Sequence, residues 1–135
     1  MSCGSSALQS VLYDTLSADA ALTALIGSAI FDAVPPGEAP ETYVVLGDEV
    51  ITDRSAVLCT AMRHDLTISV ISTALGYGAA KAVAARVVEV LTGSELTLAD
   101  GHLVYLNFLR ARAARVGTAS RRRIDVTFRA MVELV

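Results

Sequence analysis

The sequence lacks tryptophan and has only two cysteines and three prolines in 135 residues. Cys3 and Cys59 are too few and too far apart for a zinc site. We expect both to be reduced, with Cys3 an exposed thiol and Cys59 a small packed residue. All three prolines lie within residues 35–40, which excludes a regular strand there and predicts a loop.

Long apolar runs are also missing. No stretch approaches the roughly 18 uninterrupted apolar residues that span a bilayer, and the first residues lack the positive start and apolar core of a secretory signal. Hydrophobic residues nevertheless make up 53% of the chain, and Ala, Val and Leu dominate among them, which suits a core of small side chains between helices and a sheet. We therefore expect a soluble protein without membrane contact, with one domain over residues 1–135.

No catalytic, nucleotide-binding or metal-binding motif is found. His64 and Asp65 are adjacent in a predicted strand, so their side chains point to opposite faces, and we expect a surface histidine. Residues 76–78 place two glycines before a helix but lack the further residues of a phosphate-binding turn. The acidic residues Asp48, Glu49 and Asp53 could bind a divalent ion, but other ligands are lacking, so we favour a role at a sheet edge or an interface. We predict a protein without enzymatic activity, metal or cofactor.

Two short helices are predicted at the N-terminus. Apolar residues recur at three- and four-residue steps to Leu16, with Ser5 or Ser6 as the N-cap. Asp19 then caps a second helix that Gly27 ends, so the first 26 residues form a bent helix. The side chains expected to face the core from this second helix are Leu22, Leu25 and Ile26.

Two pairs of strands and one further helix follow. Residues 43–52 and 64–72 predict an antiparallel pair, joined by a surface excursion. Residues 79–91 predict a helix, and residues 103–112 and 122–134 a long hairpin with a loop at 113–120. The predicted fold is α+β: an antiparallel sheet of consecutive strands with a long C-terminal hairpin, packed on one face by the N-terminal bent helix and the central helix.

Charge is strongly separated along the chain, although the formal net charge is only −3. Residues 1–53 contain no Lys or Arg, whereas residues 110–129 contain seven of the eleven basic residues. The candidate acidic interface comprises Asp32, Glu38, Glu41, Asp48, Glu49 and Asp53. The candidate basic surface, facing a protein or DNA, comprises Arg110, Arg112, Arg115, Arg121, Arg122 and Arg123.

Acidic and basic surfaces on one molecule can meet between neighbouring copies, and such a head-to-tail contact closes into a ring when its rotation allows. Arginine forks suit carboxylates and phosphates equally, so an acidic protein and the DNA backbone both stay open as partners. Reversal of Arg121, Arg122 and Arg123 to Glu is expected to impair assembly without unfolding the monomer.

The order of these segments resembles the small tail-completion or tail-terminator proteins of long-tailed phages and gene transfer agents. The resemblance covers nearly the whole chain. It rests on the opening helices with the segment Ile30-Phe31-Asp32-Ala33-Val34-Pro35, the strand from His64, the helix from Ala79, the Asp100-Gly101 turn and the hairpin ending Arg123-Ile124-Asp125-Val126-Thr127-Phe128-Arg129.

The resemblance implies one tail-terminator-like domain that forms a ring, typically a hexamer. Such a ring caps the tail tube, joins it to the head connector or stopper protein, and lets DNA pass through. It also implies a place at the head–tail junction of a phage or gene-transfer-agent particle assembled in the bacterial cytoplasm. Two alternatives stay open: another ring protein of the junction or tail tube, and a nucleic-acid-binding domain that uses the arginine hairpin.

Overall fold

The computed structural model describes residues 4–33, 40–74, 76–116 and 121–134. The predictions for Cys3, Glu38 and residues 34–39 lie outside these ranges. The described elements in chain order are α1 (Ser5–Ala18), α2 (Ala20–Ile26), β1 (Ile30–Phe31), β2 (Thr42–Asp53), β3 (Thr60–Ser72), α3 (Gly78–Gly93), β4 (His102–Val116) and β5 (Arg121–Leu134). This composition confirms the predicted α+β class.

The N-terminal helix packs on the sheet through the predicted apolar stripe, since Leu8, Leu12 and Leu16 are all buried. Its N-cap, however, is Gly4 in the left-handed conformation, without a side-chain cap. The prediction of a Ser5 or Ser6 cap is therefore wrong. The Ser5 hydroxyl instead donates a hydrogen bond to Glu49 of β2, and this bond ties the start of α1 to the sheet.

Asp19 caps α2 as predicted, because its Oδ2 accepts a hydrogen bond from the Leu22 backbone N–H at 2.9 Å. Leu22 is fully buried. The prediction that Leu25 faces the core is wrong, since half of its surface is exposed. The same prediction is confirmed for Ile26, which packs against the core, since a seven-residue helix turns only part of its surface towards the core.

The five strands form one sheet in the order β1-β2-β3-β5-β4. The pair β1–β2 is parallel, and the pairs β2–β3, β3–β5 and β4–β5 are antiparallel. The prediction of consecutive neighbours is therefore wrong for the C-terminal half, because β5 lies between β3 and β4. The alternating residues from Ile124 to Val132 are buried along β5, so a central position removes the most apolar surface from water.

The C-terminal hairpin is longer than predicted. Ladder pairs continue from Ala113 with Ile124 to Val116 with Arg121. The predicted loop at 113–120 is thus wrong for residues 113–116, which belong to β4, and residues 117–120 lie outside the described ranges. Small side chains such as Ala113 and Ala114 do not prevent β4 from continuing, because its partner β5 still offers residues to pair with at these positions.

The two faces of the sheet differ in chemistry. One face carries Leu66, Ile68 and Val70 of β3 and packs with the helices in the main core. The other carries the alternate residues Asp65 and Thr67 of β3 and their ladder partners on β5. This second face, called the open face below, is mainly polar and charged along β3 and β5, whereas Tyr43, Val45 and Ile71 form a small second buried cluster towards β2. The open face is one of the surfaces available for contacts with other molecules.

Candidate functional site: the open face, edges and turn of the sheet

A bidentate ion pair links the two central strands across the open face. Arg129 Nε and Nη2 donate to the two carboxylate oxygens of Asp65 at 2.7 and 3.1 Å. Arg63 Nε lies 3.9 Å from the same carboxylate. The hydrogen bonds from Arg129 hold the pKa of Asp65 below its usual range. Asp65 is therefore occupied in binding β3 to β5 and is not a free acid for catalysis.

A second polar group lies further along the same strands. Asp125 Oδ1 accepts hydrogen bonds from Arg123 Nε at 2.7 Å and from the Ser69 hydroxyl at 2.7 Å. Burial acts to raise the pKa of Asp125, but these two hydrogen bonds lower it below the ordinary value. Arg123 also donates to the Ser69 hydroxyl at 3.2 Å. Arg123 thus has a structural role within the subunit.

The six predicted interface arginines divide between the two faces of the hairpin. The ladder register assigns Arg110, Arg112, Arg121 and Arg123 to the open face and Arg115 and Arg122 to the helix-covered face. Arg122 Nη1 donates to the Ala74 carbonyl at 3.1 Å, and its guanidinium lies 5.5 Å from the Tyr77 ring centre. Together with Arg123, it is therefore engaged inside the subunit.

The other four arginines of this set are exposed. No hydrogen bond or ion pair to another described residue involves Arg110, Arg112, Arg115 or Arg121, apart from longer-range attraction of Arg110 to Asp65 and of Arg112 to Asp125. The structure thus narrows the predicted set to four side chains that can bind a partner without breaking an internal contact. Which partner they bind stays a prediction.

The structure brings together two of the described acids of the predicted acidic interface, because Asp32 and Asp48 both line an open groove of about 340 Å³ on the open face, beside Arg123. Asp32 also lines a second open groove of about 530 Å³ between α1 and β1, together with Tyr13, Asp14 and Phe31. Glu41 is exposed just before β2 begins. The second groove therefore places acidic and aromatic side chains beside the β1 edge of the sheet, opposite the β4 edge with its arginines.

The remaining described acids lie further along β2. Asp48 is exposed at a bulge, where the ladder shifts between Leu46 and Glu49. Asp53 is exposed at the end of the strand, where its Oδ1 accepts a hydrogen bond from the Ser55 backbone N–H at 2.8 Å. Asp48 and Asp53 are thus available along the free part of β2, whose partner β1 reaches only Val44 and Val45.

Glu49 has a different role from the other predicted acids. Its Oε2 lies 3.4 Å from His64 Nδ1, and its other oxygen accepts the hydrogen bond from Ser5. The prediction of a surface histidine is wrong, because His64 is fully buried. It shares the core face with Leu66, and the β2 bulge turns Glu49 to the same side. The sequence pattern alone does not reveal this bulge.

In the group Ser5, Glu49 and His64, the carboxylate of Glu49 lies between the other two, because it contacts both the Ser5 hydroxyl and the His64 imidazole. A nucleophile of the serine-hydrolase kind requires the imidazole between hydroxyl and carboxylate. Glu49 therefore joins α1 to the sheet and does not orient a catalytic base. The contact with His64 and the hydrogen bond from Ser5 lower the pKa of Glu49, against the opposite effect of burial.

The turn between β2 and β3, residues 54–59, exposes two large apolar side chains. Val57 and Leu58 are 99% and 98% exposed. Hydrogen bonds in both directions between Ala56 and Cys59, of 2.9 and 3.2 Å, hold the turn. Cys59 is exposed, so its prediction as a packed residue is wrong. The exposure of Val57 and Leu58 confirms the surface excursion predicted between the two strands, whereas hydrophobicity alone would predict burial of these side chains.

Among residues 4–33, 40–74, 76–116 and 121–134, no three His, Cys, Asp or Glu side chains converge as ligands for a metal ion. In the same part of the chain, no helix has the length and apolar character needed to cross a membrane.

The chain presents exposed charged and apolar side chains on the open face, edges and turn of its sheet. Comparison with protein families identifies the chain. The family model described as "Tail completion protein gp17" matches residues 10–133. The chain belongs to this family and is a structural tail-completion protein, which confirms the predicted family and the predicted location in a virion-type particle.

The chain is also similar to a chain of a solved structure, described as "Virion of native gene transfer agent (GTA) particle". The two share 50% sequence identity, the TM-score is 0.92, and the match covers 98% of this chain and 99% of the other. A search of curated proteins gave no match. The family is one of tail-completion proteins, and the neighbour is a chain of a virion particle, so both support a structural protein of such a particle.

Proposed function

We propose that this chain is a tail terminator that forms a ring of identical copies, six as its resemblance to tail-terminator proteins implies, with DNA passing through the centre. The ring ends the tail tube and joins it to the head connector or stopper protein. The chain acts as one tail-terminator-like domain and carries out no chemical reaction. The observation that carries the proposal is the 50% identity, over nearly all of both chains, to a protein of a native gene-transfer-agent particle.

The distribution of charge supports assembly into a ring. The β1 edge of the sheet lies beside an acidic groove, whereas the β4 edge carries exposed arginines. Two different edges on one molecule favour a head-to-tail contact, in which each copy uses one edge on each side. A closed ring then leaves no edge unused, which is the arrangement expected of a subunit that ends a tube.

The two ends of the strands support contacts above and below the ring. One end carries the apolar turn with Val57 and Leu58. The other end carries Arg115 and Arg121, which are exposed. A terminator must bind two different proteins, and two chemically different ends suit this role. Exposed arginines at the hairpin end are also able to contact DNA phosphates without reading a base sequence.

Electron microscopy of the purified protein tests the proposal. We expect rings alone or in the presence of tail tubes, with a cap on one end of each tube. Long filaments of the protein alone would instead identify a tube subunit. A monomer that ignores tubes but binds short DNA with steep salt dependence would identify a nucleic-acid-binding domain.

The structure changes the design of the arginine test. Reversing Arg122 and Arg123 would disturb contacts with Ala74 and Asp125 inside the subunit, so loss of function would not distinguish misfolding from failed assembly. Arg112→Glu with Arg121→Glu alters exposed side chains instead. We expect this variant to keep its unfolding midpoint and lose tail completion, and Lys81→Glu, on the exposed side of α3, is the matched control.

A further inference from the structure

Two strand edges of the sheet are open among the described residues. On β2, the partner β1 pairs only with Val44 and Val45, so the outer side of residues 46–53 has no strand beside it. On β4, which is last in the sheet order, no described strand pairs on the side away from β5, although residues 94–97 line a groove with residues 103–107 of the strand. Open edges present unpaired backbone N–H and C=O groups, which favour pairing with another chain.

Natural proteins usually protect such edges with charged residues or bulges. β4 has two bulges, between Leu103 and Tyr105 and between Phe108 and Arg110. The extra residues of these bulges are Val104 and Leu109, and both are exposed large apolar side chains. Bulges that carry apolar side chains protect an edge poorly and suit one that is covered in the assembled state.

The open part of β2 has matching chemistry. Val50 is 63% exposed and Ile51 is 38% exposed. Asp48 and Asp53 border them, whereas Arg110 and Arg112 border the apolar residues of β4. Apolar side chains on both edges, with carboxylates on one and guanidinium groups on the other, make the two edges complementary.

The ladder register places these groups at corresponding levels. Glu49 pairs with Leu66, Leu66 with Phe128, and Phe128 with Phe108. At the next residue along β3, Thr67 pairs with Thr127, and Thr127 pairs with Arg110. The β2 bulge that contains Asp48 lies opposite Thr67. The backbone positions of Asp48 and Arg110 thus lie at the same level on opposite edges of the sheet.

The strand directions also agree. β2 is antiparallel to β3, β3 to β5 and β5 to β4, so β2 and β4 run in opposite directions. When copies are related by rotation about an axis along the strands, the β4 edge of one copy meets the β2 edge of the next in antiparallel orientation. Antiparallel pairing of this kind adds hydrogen bonds to the side-chain contacts.

We infer that neighbouring copies of this chain contact each other edge to edge, with residues 46–53 of β2 against β4 of the next copy and Asp48 facing Arg110. The inference rests on the ring proposed above and names its subunit contact. It places the second copy of the chain, and not DNA or a tail-tube protein, on both edges.

Charge reversal tests the facing pair. Asp48→Arg and Arg110→Asp each place like charges opposite one another, and we expect each to reduce ring formation by at least about tenfold. The double variant restores the opposite charges in exchanged positions and should recover most rings. Lys81→Asp reverses one exposed charge on α3, outside both strand edges, and should assemble as the unaltered protein does.

Disulfide cross-linking tests the same contact directly. Cys3 and Cys59 are first replaced by Ser, and Asp48→Cys is combined with Arg110→Cys. Oxidation of assembled rings should give a ladder of covalent multimers that ends at the ring size. Asp48→Cys combined with Lys81→Cys should give none.

The outcomes separate the two proposals. Rings without cross-links, or rings that tolerate both single reversals, would overturn the edge contact and leave the terminator ring in place. Absence of rings with and without tail tubes would overturn both. Loss of DNA binding in Arg110→Asp, with ring formation intact, would assign Arg110 to DNA and also overturn the inference.

Discussion

At the scale of single residues, a few side chains and backbone positions fix how the helices sit on the sheet. The group Ser5, Glu49 and His64 connects the first turn of α1 to β2 and β3. Asp65 with Arg129 connects β3 to β5 on the other side of the sheet. Buried or half-buried polar contacts of this kind specify one arrangement of elements that apolar packing alone would leave less defined.

Glu49→Gln is expected to lower the free energy of unfolding by about 1–2 kcal/mol near neutral pH, because the charged partner of His64 and Ser5 is removed. The folded-state pKa of Glu49 lies below its ordinary value of 4.5. Its contribution is therefore present above about pH 4.5 and is lost as the pH falls through the folded-state pKa. Denaturant unfolding of both proteins at several pH values measures this difference.

The unfolding curves of Glu49→Gln and the unaltered protein should converge at acid pH. Glu95→Gln is the matched control, since Glu95 is exposed and lies outside this group. A stability difference that stays constant from pH 7 down to pH 3 would show that the Glu49 charge has no such role.

Gly101→Ala is expected to destabilise the protein by about 1–3 kcal/mol, because residue 101 has a φ of +88° that side chains disfavour. A Cβ atom there would also lie 2.9 Å from the Glu133 carbonyl oxygen. Gly93→Ala is the control, since a Cβ there meets nothing within 4 Å. Equal unfolding midpoints for the two variants would contradict this account of the Asp100-Gly101 turn.

At the scale of secondary-structure elements, Asp19 joins three helices. It caps α2, and its carboxylate also accepts hydrogen bonds of 2.8 and 2.7 Å from Arg86 of α3. The hydrogen bond from Arg86, followed by that from the Leu22 backbone, lowers the pKa of Asp19 to about 2. α1 ends one residue before Asp19, so this residue sets the bend between α1 and α2 and holds it against α3.

Asp19→Asn should destabilise the protein less than Asp19→Ala, because Asn keeps the cap and loses only the ion pair with Arg86. The unaltered protein should lose the stabilisation from the charged Asp19 as the pH falls from about 3.8 towards about 2. The reason is that Asp19 has a lower pKa in the folded state than in the unfolded state, so the folded protein keeps the carboxylate charged to lower pH. Thermal unfolding of the three proteins checks the order. Equal midpoints for the two variants would mean that capping contributes nothing measurable.

At the scale of the whole molecule, the sheet order decides which strands are protected and which are exposed to partners. β5 is paired on both sides, whereas β4 is paired only with β5. The helices cover one face, so the open face, the two free edges and the apolar turn are the surfaces left for the rest of the tail. The apolar strand β5 is thus protected inside the sheet, whereas Arg110, Arg112 and Arg115 lie exposed on the edge strand β4.

Hydrogen exchange should reflect this order. In the unassembled protein, amides along β5 should exchange at least about a hundredfold more slowly than the outward-pointing amides of β4, because only the former have partners on both sides. Residue-resolved exchange by NMR measures both sets. Uniformly slow exchange in β4 with fast exchange in β5 would contradict the sheet order.

The sequence alone predicts most of the elements and the family. The period-two pattern of β5 and the apolar stripe of α3 are local, and the structure confirms both strand and helix. The Asp19 cap and the Asp100-Gly101 turn were also predictable, because their chemistry is contained within a few neighbouring residues. The resemblance that rests on the order of these segments is confirmed by the family model over residues 10–133.

Features that depend on distant parts of the chain required the tertiary structure. His64 is buried, and Glu49 contacts it, because of the β2 bulge and the position of α1. These parts of the chain are far apart in the sequence, so no local sequence pattern predicts that they meet. The separation of the arginines into internal and exposed ones follows from the pairing of β5 with β3. Sequence thus determined the elements, the charge separation and the family, whereas the fold decided which charges are free to meet a partner, because only packing and strand pairing bring distant residues together.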